Sequence, residues 1–472
     1  MSAFQRNISH LVVLMLENRS FDHLLGFGGL GDGLKGDEHN FVDPAAGSDK
    51  VTVSADAGYV GDLNIDPSHR LLDINVQLFG SVVPPTGVPK AGSTNGGFVL
   101  NYGQQPGATP ADARRIMKCF APDRLPSLTA LAREFVVCDK WFSSVPAQTW
   151  PNRFFVHAAT SQGEIDNSPR IYDARTIYDN LAAKGEDWRI YFHDMPQCVM
   201  LSSLRQTKVR KNFSVFNERF KIDCKAGLLP SYSFIEPRYF DFGVLKANDQ
   251  HPPHDVALGD HLIADVYEAI RNSPVWESTM LIILWDEHGG IFDHVLPPPA
   301  VNPDRQNHID PDFDFSRLGL RVPAVVVSPW VKSGVDSTVY DHTSVLASVR
   351  DLFDLPGSLT ERDAHANTLE HLVTDTKRID APTKLNRAPT ASAAPPAVTS
   401  SAMTPGQLAT SRADMSAAPL SEFQQSLVDA ARDLPADDQR VHAAQMMANP
   451  QTEHDGAVHV RQATQHFLAS GK

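Results

Sequence analysis

The sequence has few cysteines and lacks any long apolar stretch. Four cysteines in 472 residues, without CxxC spacing, are too sparse for a disulfide framework, so we expect free, buried thiols. No apolar run approaches the roughly 18 residues that a membrane helix needs. The first residues carry neither an apolar signal core nor a twin-arginine pair. We therefore expect no transmembrane segment, and a location in the cytoplasm or export without a recognisable signal peptide.

The chain also lacks an excess of positive charge. Its formal net charge is −14, so its average field repels nucleic acid and anionic membrane surfaces. We therefore predict no nucleic-acid partner. The hydrophobic content of 42% and the charged content of 21% are ordinary for a soluble globular protein. An anionic substrate would have to be neutralised locally by a metal, a helix N-terminus or a few Arg and His side chains.

Short apolar runs alternate with amphipathic helical patterns along much of the chain. The runs predict strands at residues 10–16, 135–139, 188–192, 231–235, 279–285 and 322–327. Helical periodicity lies between them, at residues 128–135, 176–184, 259–273 and 343–353. This alternation predicts an α/β fold with a mainly parallel central sheet and helices on both of its faces.

Composition changes suggest how the chain is organised. We predict a catalytic domain over residues 1–378, in which residues 24–125, rich in Gly, Pro, Asp and Asn, form a long irregular insertion or lid. Residues 379–412 are rich in Ala, Pro, Ser and Thr and predict a linker. Residues 413–472 predict a helical tail, which either docks on the domain or binds a partner.

Acidic and amide side chains follow two of the predicted strands. Glu17 and Asn18 follow the first strand, and Asp286 and Glu287 follow the strand at 279–285. In parallel α/β sheets, ligand sites form at the carboxyl ends of strands. Carboxylates held close together raise a pKa or bind a cation, and oxygen ligands favour Mg, Ca or Mn. A simpler alternative is that each carboxylate caps a turn or pairs with an arginine.

Thr149 stands just before Trp150 and Pro151, and proline is favoured in the first turn of a helix. A hydroxyl at a helix N-terminus lies where free amides bind phosphate oxygens. Metal activation of such a hydroxyl makes a nucleophile. The alternative is that Thr149 only caps the helix.

Five blocks together resemble the phosphoesterase family that contains bacterial phospholipases C and AcpA-type acid phosphatases, within the alkaline phosphatase superfamily. They are ENRSFDH, PNRFFVHAATS, HPPHD, DEHGGIFDHV and YDHTSV, and they span roughly residues 10–355. The resemblance implies an alkaline phosphatase-like fold. It also implies a divalent metal held by four residues and a nucleophilic Thr149; the metal ligands would be Glu17, Asn18, Asp286 and Glu287.

The resemblance further implies that histidines surround the transferred phosphoryl group. By block position these are His251 and His288, and His69, in DPSHR, and His254 are two further candidates. His342 either orients the site or caps a helix, and His157 is expected to be a satisfied core histidine. Supporting roles are expected for Asp22, His23, Asp293 and His294.

The predicted activity is hydrolysis of phosphatidylcholine-type phosphodiesters by a phospholipase C through a phosphothreonine intermediate. An acid phosphomonoesterase is one alternative. A non-catalytic metal-stabilised binding module or an exported effector is the other. The expected partners are a phospholipid or a small phosphate ester, with transient contact with a membrane surface.

Overall fold

The computed structural model describes residues 1–80, 94–304, 313–390, 418–436 and 438–470. At its centre lies an eight-stranded sheet with strand order β10-β4-β9-β8-β1-β7-β5-β6. The sheet strands are β1 (His10–Leu16), β4 (Val136–Cys138), β5 (Trp188–Phe192), β6 (Phe213–Val215), β7 (Tyr232–Ile235), β8 (Thr279–Trp285), β9 (Ala324–Val327) and β10 (Gly334–Asp336). A separate hairpin consists of β2 (His39–Asp43) and β3 (Ser48–Thr52).

Helices surround the sheet, as the alternation in the sequence predicted. They are α1 (Ala3–Asn7), α2 (Phe21–Leu25), α3 (Leu71–Phe79), α4 (Phe98–Gly103), α5 (Pro110–Arg115), α6 (Pro126–Glu134), α7 (Thr149–Ala158), α8 (Ile177–Lys184), α9 (Phe216–Ala226), α10 (Val256–Arg271), α11 (Thr343–Leu352), α12 (Glu361–Ala364), α13 (Glu422–Arg432), α14 (Gln439–Met447) and α15 (Glu453–Ala469). Within the described ranges, no helix is long and apolar enough to cross a membrane.

The α/β class and the mainly parallel sheet are confirmed, with one strand reversed. β1 pairs in parallel with both β7 and β8, whereas β9 runs antiparallel to its neighbours β8 and β4. β1 and β8 are buried along nearly their whole length, which explains their continuous apolar sequences. Their register pairs Leu16 with Trp285, so the residues that follow both strands meet at one edge.

The predicted irregular insertion contains more regular structure than its composition suggested. It forms the β2–β3 hairpin and the short helices α3, α4 and α5 around a hydrophobic cluster of its own. Val51, Ile74 and Phe98 in this cluster pack with Phe292 and Leu320 of the main domain. Three of the fourteen buried residues of this cluster, Ile291, Phe292 and Leu320, come from distant parts of the chain, so local periodicity shows only part of this core.

The C-terminal tail docks on the domain. Phe423, Leu427 and Ala431 of α13 are buried in the main hydrophobic core, as their helical spacing suggested. The predicted linker begins as ordered chain, in which Ala381 and Ala388 pack against the domain. Residues 391–417, which make up most of that linker, lie outside the described residues. All four cysteines are free and buried, as expected.

Candidate active site

The ends of β1 and β8 bring the predicted acidic residues together. The backbone N–H of Asn18 donates to Asp286 Oδ1 at 3.0 Å, and the N–H of Glu287 donates to the same oxygen at 2.7 Å. Asn18 has a φ of 51°, in the left-handed region that asparagine tolerates better than most residues. This turn is closely packed, because a side chain at Gly289 would meet the Asn18 carbonyl oxygen.

Several buried polar atoms in this cluster have no hydrogen-bond partner within the described part of the chain. They are Asn18 Oδ1 and Nδ2, Asp286 Oδ2 and Glu287 Oε1. Burial raises the pKa of Glu17 well above its usual value and also raises the pKa of Asp286, although Arg153 opposes both changes. Buried oxygens without donors are costly unless a cation or water meets them. The donor set therefore fits a hard divalent cation.

Arg153 is the main residue of the site that the sequence did not reveal. Its guanidinium lies 2.6 Å from Glu17 Oε1, 3.4 Å from Asp286 Oδ2 and 3.8 Å from Glu236 Oε2, and all of these side chains are buried. The carboxylates raise the pKa of Arg153 despite its burial. The alternative of pairing with an arginine thus holds for Glu17 and for Asp286. Among the described residues, no arginine pairs with Glu287. The only signal in the sequence was the position of Arg153 one turn after Thr149.

Thr149 is the first residue of α7, and Gln148, not Thr149, occupies the N-cap position. The Thr149 hydroxyl donates to Glu17 Oε2 at 3.2 Å. The alternative that Thr149 only caps the helix is therefore wrong. Because Arg153 also lies in α7, this one helix delivers both a hydroxyl and a cation to the strand ends.

Three of the predicted histidines line up beside the carboxylates. His69, from the insertion, lies 3.8 Å from Glu287 Oε1 through its Nε2 atom. The His69 and His251 rings are 6.2 Å apart, and the His251 and His254 rings are 6.3 Å apart. Although burial opposes protonation, Glu287 and Asp66 raise the pKa of His69 to about 9.

His254 is held between two carboxylates. Its Nδ1 lies 2.7 Å from Asp249 Oδ1, and its Nε2 lies 3.7 Å from Glu453 Oε1. Burial opposes protonation, yet Asp249 and Glu453 raise the pKa of His254 well above its usual value. Asp249 and Glu453 are further site residues that the sequence analysis missed.

His288 and His342 contact the two acidic residues that follow β8. His288 has both ring nitrogens engaged, with Nε2 2.9 Å from Gln77 Oε1 and Nδ1 3.3 Å from Glu287 Oε2. His342 Nε2 lies 2.5 Å from the Asp286 carbonyl oxygen. Burial lowers the pKa of His342 to about 4, so the ring is neutral and donates to that carbonyl. Between its two predicted roles, this contact favours orientation of the site.

The residues predicted to support the site form an ion-pair network around Arg321. Asp22 accepts from Arg321 at 2.9 Å and lies 2.7 Å from His294 Nδ1. Asp293 accepts from Arg321 at 2.8 Å. His23 lies next to Phe120, with ring centroids 5.1 Å apart. The network joins α2 to the segment after β8 and so fixes the two chain segments that carry the acidic residues.

The C-terminal tail forms one wall of the site. Phe423 stacks on His251 with ring centroids 6.0 Å apart and an interplanar angle of 15°. Glu422 accepts from Gln148 at 3.0 Å and from Arg70 at 2.7 Å. Thr149 itself has no exposed surface. A substrate can therefore reach the hydroxyl only after neighbouring segments move.

A carboxylate cluster at parallel strand ends, with a buried hydroxyl and several histidines, brings together groups that are suited to phosphoester hydrolysis. The sequence profile of the Phosphoesterase family matches residues 8–356. The chain is 38% identical over 491 residues to non-specific phospholipase C1 of Arabidopsis thaliana, covering 99% of this chain and 87% of that protein. Phospholipase C B of Mycobacterium tuberculosis is 28% identical over 417 residues, which is 74% of each chain.

Among solved structures, a protein in the alkaline phosphatase superfamily from Vibrio parahaemolyticus overlaps 48% of this chain and 60% of that chain, with 11% identity and a TM-score of 0.31. The family match and the long alignment with a relative agree. The chain belongs to the Phosphoesterase family, and it is a phosphoric ester hydrolase.

Proposed function

We propose that the protein is a metal-dependent phospholipase C that cleaves phosphatidylcholine-type phosphodiesters with Thr149 as its nucleophile. The observation that carries the proposal is the Thr149 hydroxyl, which donates to Glu17 at the first turn of α7. The names of the relatives support a phospholipid substrate. Contact with a membrane surface during the reaction is part of this proposal.

The first step is in-line attack of Thr149 Oγ1 on phosphorus, with departure of the diacylglycerol oxygen. The hydrogen bond to Glu17 holds the hydroxyl in place and provides an acceptor for its proton. The product of this step is a phosphothreonine, which water cleaves in the second step.

His251 is suited to move a proton in both steps. Its Nδ1 lies 2.6 Å from the Pro252 carbonyl oxygen, so Nδ1 carries a hydrogen. Its Nε2 is buried, lies 3.6 Å from Asp66 Oδ2 and makes no hydrogen bond in the described part of the structure. Nε2 can therefore donate a proton to the leaving oxygen and then, once neutral, accept one from the attacking water.

His69 and His254 provide positive charge. Despite burial, Glu287 raises the pKa of His69 to about 9 and Asp249 raises the pKa of His254 well above its usual value, which favours the protonated form of both rings. Together with Arg153, they can neutralise oxygens of the transferring phosphoryl group. A strongly acidic protein can thus bind an anionic ester, because the charge is supplied within the site and not by its surface.

Glu17, Asn18, Asp286 and Glu287 are the residues that would hold the divalent metal. When bound, such an ion polarises phosphoryl oxygens and favours the ionised form of a nearby hydroxyl. Mg, Ca and Mn fit these oxygen donors better than softer metals do.

The test begins with Thr149→Ala in the full chain. We expect turnover of a chromogenic phosphorylcholine diester to fall about 10³-fold or more while the unfolding temperature is kept. Thr129→Ala is the matched control, because Thr129 is a buried helical threonine whose hydroxyl donates to the Pro122 carbonyl oxygen at 2.7 Å. Retained turnover in Thr149→Ala would remove Thr149 as the nucleophile.

The substrate class needs a second measurement. Phosphorus release is compared for phosphatidylcholine vesicles, p-nitrophenyl phosphate and its phosphorylcholine diester. We expect preference for the lipid and the diester. Preference for the monoester would contradict the phospholipase proposal and favour a phosphomonoesterase with the same nucleophile.

A further inference from the structure

A second cluster of potential metal-ligand side chains lies beside Arg153. It consists of His157 from α7, Cys198 from the 3-10 helix Gln197–Met200, and Glu236, which follows β7. One potential ligand atom from each residue lies within 4.8 Å of the other two. All three residues are fully buried.

The hydrogen bonding of this cluster leaves its inner atoms unused. Glu236 Oε2 accepts from the Tyr239 hydroxyl at 2.6 Å, whereas Glu236 Oε1 has no partner in the described structure. His157 Nδ1 lies 3.0 Å from the Tyr178 hydroxyl, and His157 Nε2 is likewise without a partner. His157 is therefore only half satisfied, contrary to the expectation of a satisfied core histidine.

Two buried polar atoms without hydrogen-bond partners, next to a thiol, are typical of a metal-binding site. A metal-bound histidine commonly donates its other ring N–H to an oxygen, which the Tyr178 hydroxyl can accept here. Burial lowers the pKa of His157 to about 3, so its ring is neutral, as a metal ligand must be. In a tetrahedral site with bonds of about 2.0–2.3 Å, ligand atoms stand about 3.5 Å apart. Because the potential ligand atoms lie within 4.8 Å of one another, metal binding would draw them together by up to about 1.3 Å.

We propose that His157, Cys198 and Glu236 supply three of the ligands of a buried zinc ion, separate from the metal of the reaction site. Nitrogen, sulfur and oxygen donors together suit zinc, whereas the all-oxygen donors around Asp286 do not. The cysteine binds as its thiolate and releases its proton to solvent when the ion enters.

The position of the cluster connects the ion to the reaction site. Glu236 Oε2 lies 3.8 Å from Arg153 Nη1, and Arg153 holds Glu17. An ion on Glu236 Oε1 would fix the Glu236 carboxylate and thereby the guanidinium that supports the reaction site. This inference goes beyond the phospholipase proposal and does not depend on it.

The experiment uses the full chain loaded with cobalt(II), which replaces zinc and is visible by absorption. Coordination by a thiolate gives a charge-transfer band in the near ultraviolet, which an all-oxygen site cannot produce. We expect the band in the wild type and in Cys138→Ser, and its loss in Cys198→Ser. Cys138 is the matched control, because it is also a fully buried free thiol.

Zinc content by mass spectrometry is the second readout. We expect one equivalent less zinc in Cys198→Ser and in His157→Gln than in the wild type, and no change in Thr149→Ala. A wild type without the thiolate band, or with the same zinc content as Cys198→Ser, would overturn the proposal. The wild-type spectrum alone decides the matter if a variant does not fold. The expected band does not depend on the substrate, so a result that contradicts the phospholipase proposal would leave the zinc proposal standing.

Discussion

Replacing Arg153 with Met should destabilise the protein strongly, because the side chain is buried among carboxylates. Its guanidinium contacts Glu17 at 2.6 Å and lies within 4 Å of Asp286 and Glu236. Removing one partner of a buried ion pair costs about 3–5 kcal/mol, since the remaining charge is left uncompensated.

This energy can be converted into a temperature. An unfolding entropy of about 2.1 cal/mol/K per residue amounts to about 1 kcal/mol/K over the 472 residues. The unfolding midpoint of Arg153→Met should therefore fall by about 3–5 °C at neutral pH. The loss should shrink towards acidic pH, because carboxyl groups that have lost their cation become protonated and no longer need one.

The assay is calorimetry or circular dichroism with chelator present, so that metal binding does not contribute. Arg317→Met is the control, because Arg317 is equally buried but hydrogen-bonds the Asn75 amide oxygen, and burial lowers its pKa. We expect the unfolding midpoint to fall less in Arg317→Met than in Arg153→Met. A midpoint for Arg153→Met that is unchanged, or changed no more than for Arg317→Met, would refute the reasoning.

Three further predictions concern pH, the tail and the metal. Although burial opposes protonation, Asp22 raises the pKa of His294 to about 9. Below pH 6.5, His294→Gln should therefore be less stable than the wild type by about 1–2 kcal/mol after a discount for partial exposure, and this difference should vanish as the pH rises through 9. A stability difference in thermal unfolding that does not depend on pH would contradict this prediction. Phe423→Ala should lower kcat/KM up to about 10-fold, because the stacking on His251 is lost. Phe467, which is buried elsewhere in the tail, provides the control, and Phe467→Ala should affect stability alone. Equal kinetic effects of the two substitutions would reject a role of Phe423 in the site. Chelation should inactivate the enzyme reversibly, with activity restored by Mg, Ca or Mn; full turnover after verified metal removal would exclude the metal.

Much of the sheet follows from local sequence. The strands β1, β5 and β8 begin and end where their apolar runs do, because a strand buried on both faces requires uninterrupted hydrophobic residues. The short edge strands β6 and β10 and the reversed direction of β9 did not follow from it. Strands of three residues, such as β6 and β10, are too short to carry a periodic signal. The direction of a strand depends on the connections between it and its neighbours in the chain.

The same division applies to the site. Sequence placed Glu17, Asn18, Asp286 and Glu287 at strand ends, and the parallel sheet then brought those ends together. Within the described structure, the tertiary fold alone decided what surrounds them. Arg153 reaches Glu17 across 136 positions of the chain, and Gln77 reaches His288 across 211.

The tail shows the limit of local prediction most clearly. The helical tail was predicted either to dock on the domain or to bind a partner, and its sequence did not indicate where it would dock. Only the folded chain places Phe423 on His251 and Glu453 beside His254. Local sequence determines which apolar residues have to be buried, because their burial depends on each side chain's own polarity. Which buried residues meet depends on the packing of distant segments, and that is decided by the tertiary structure.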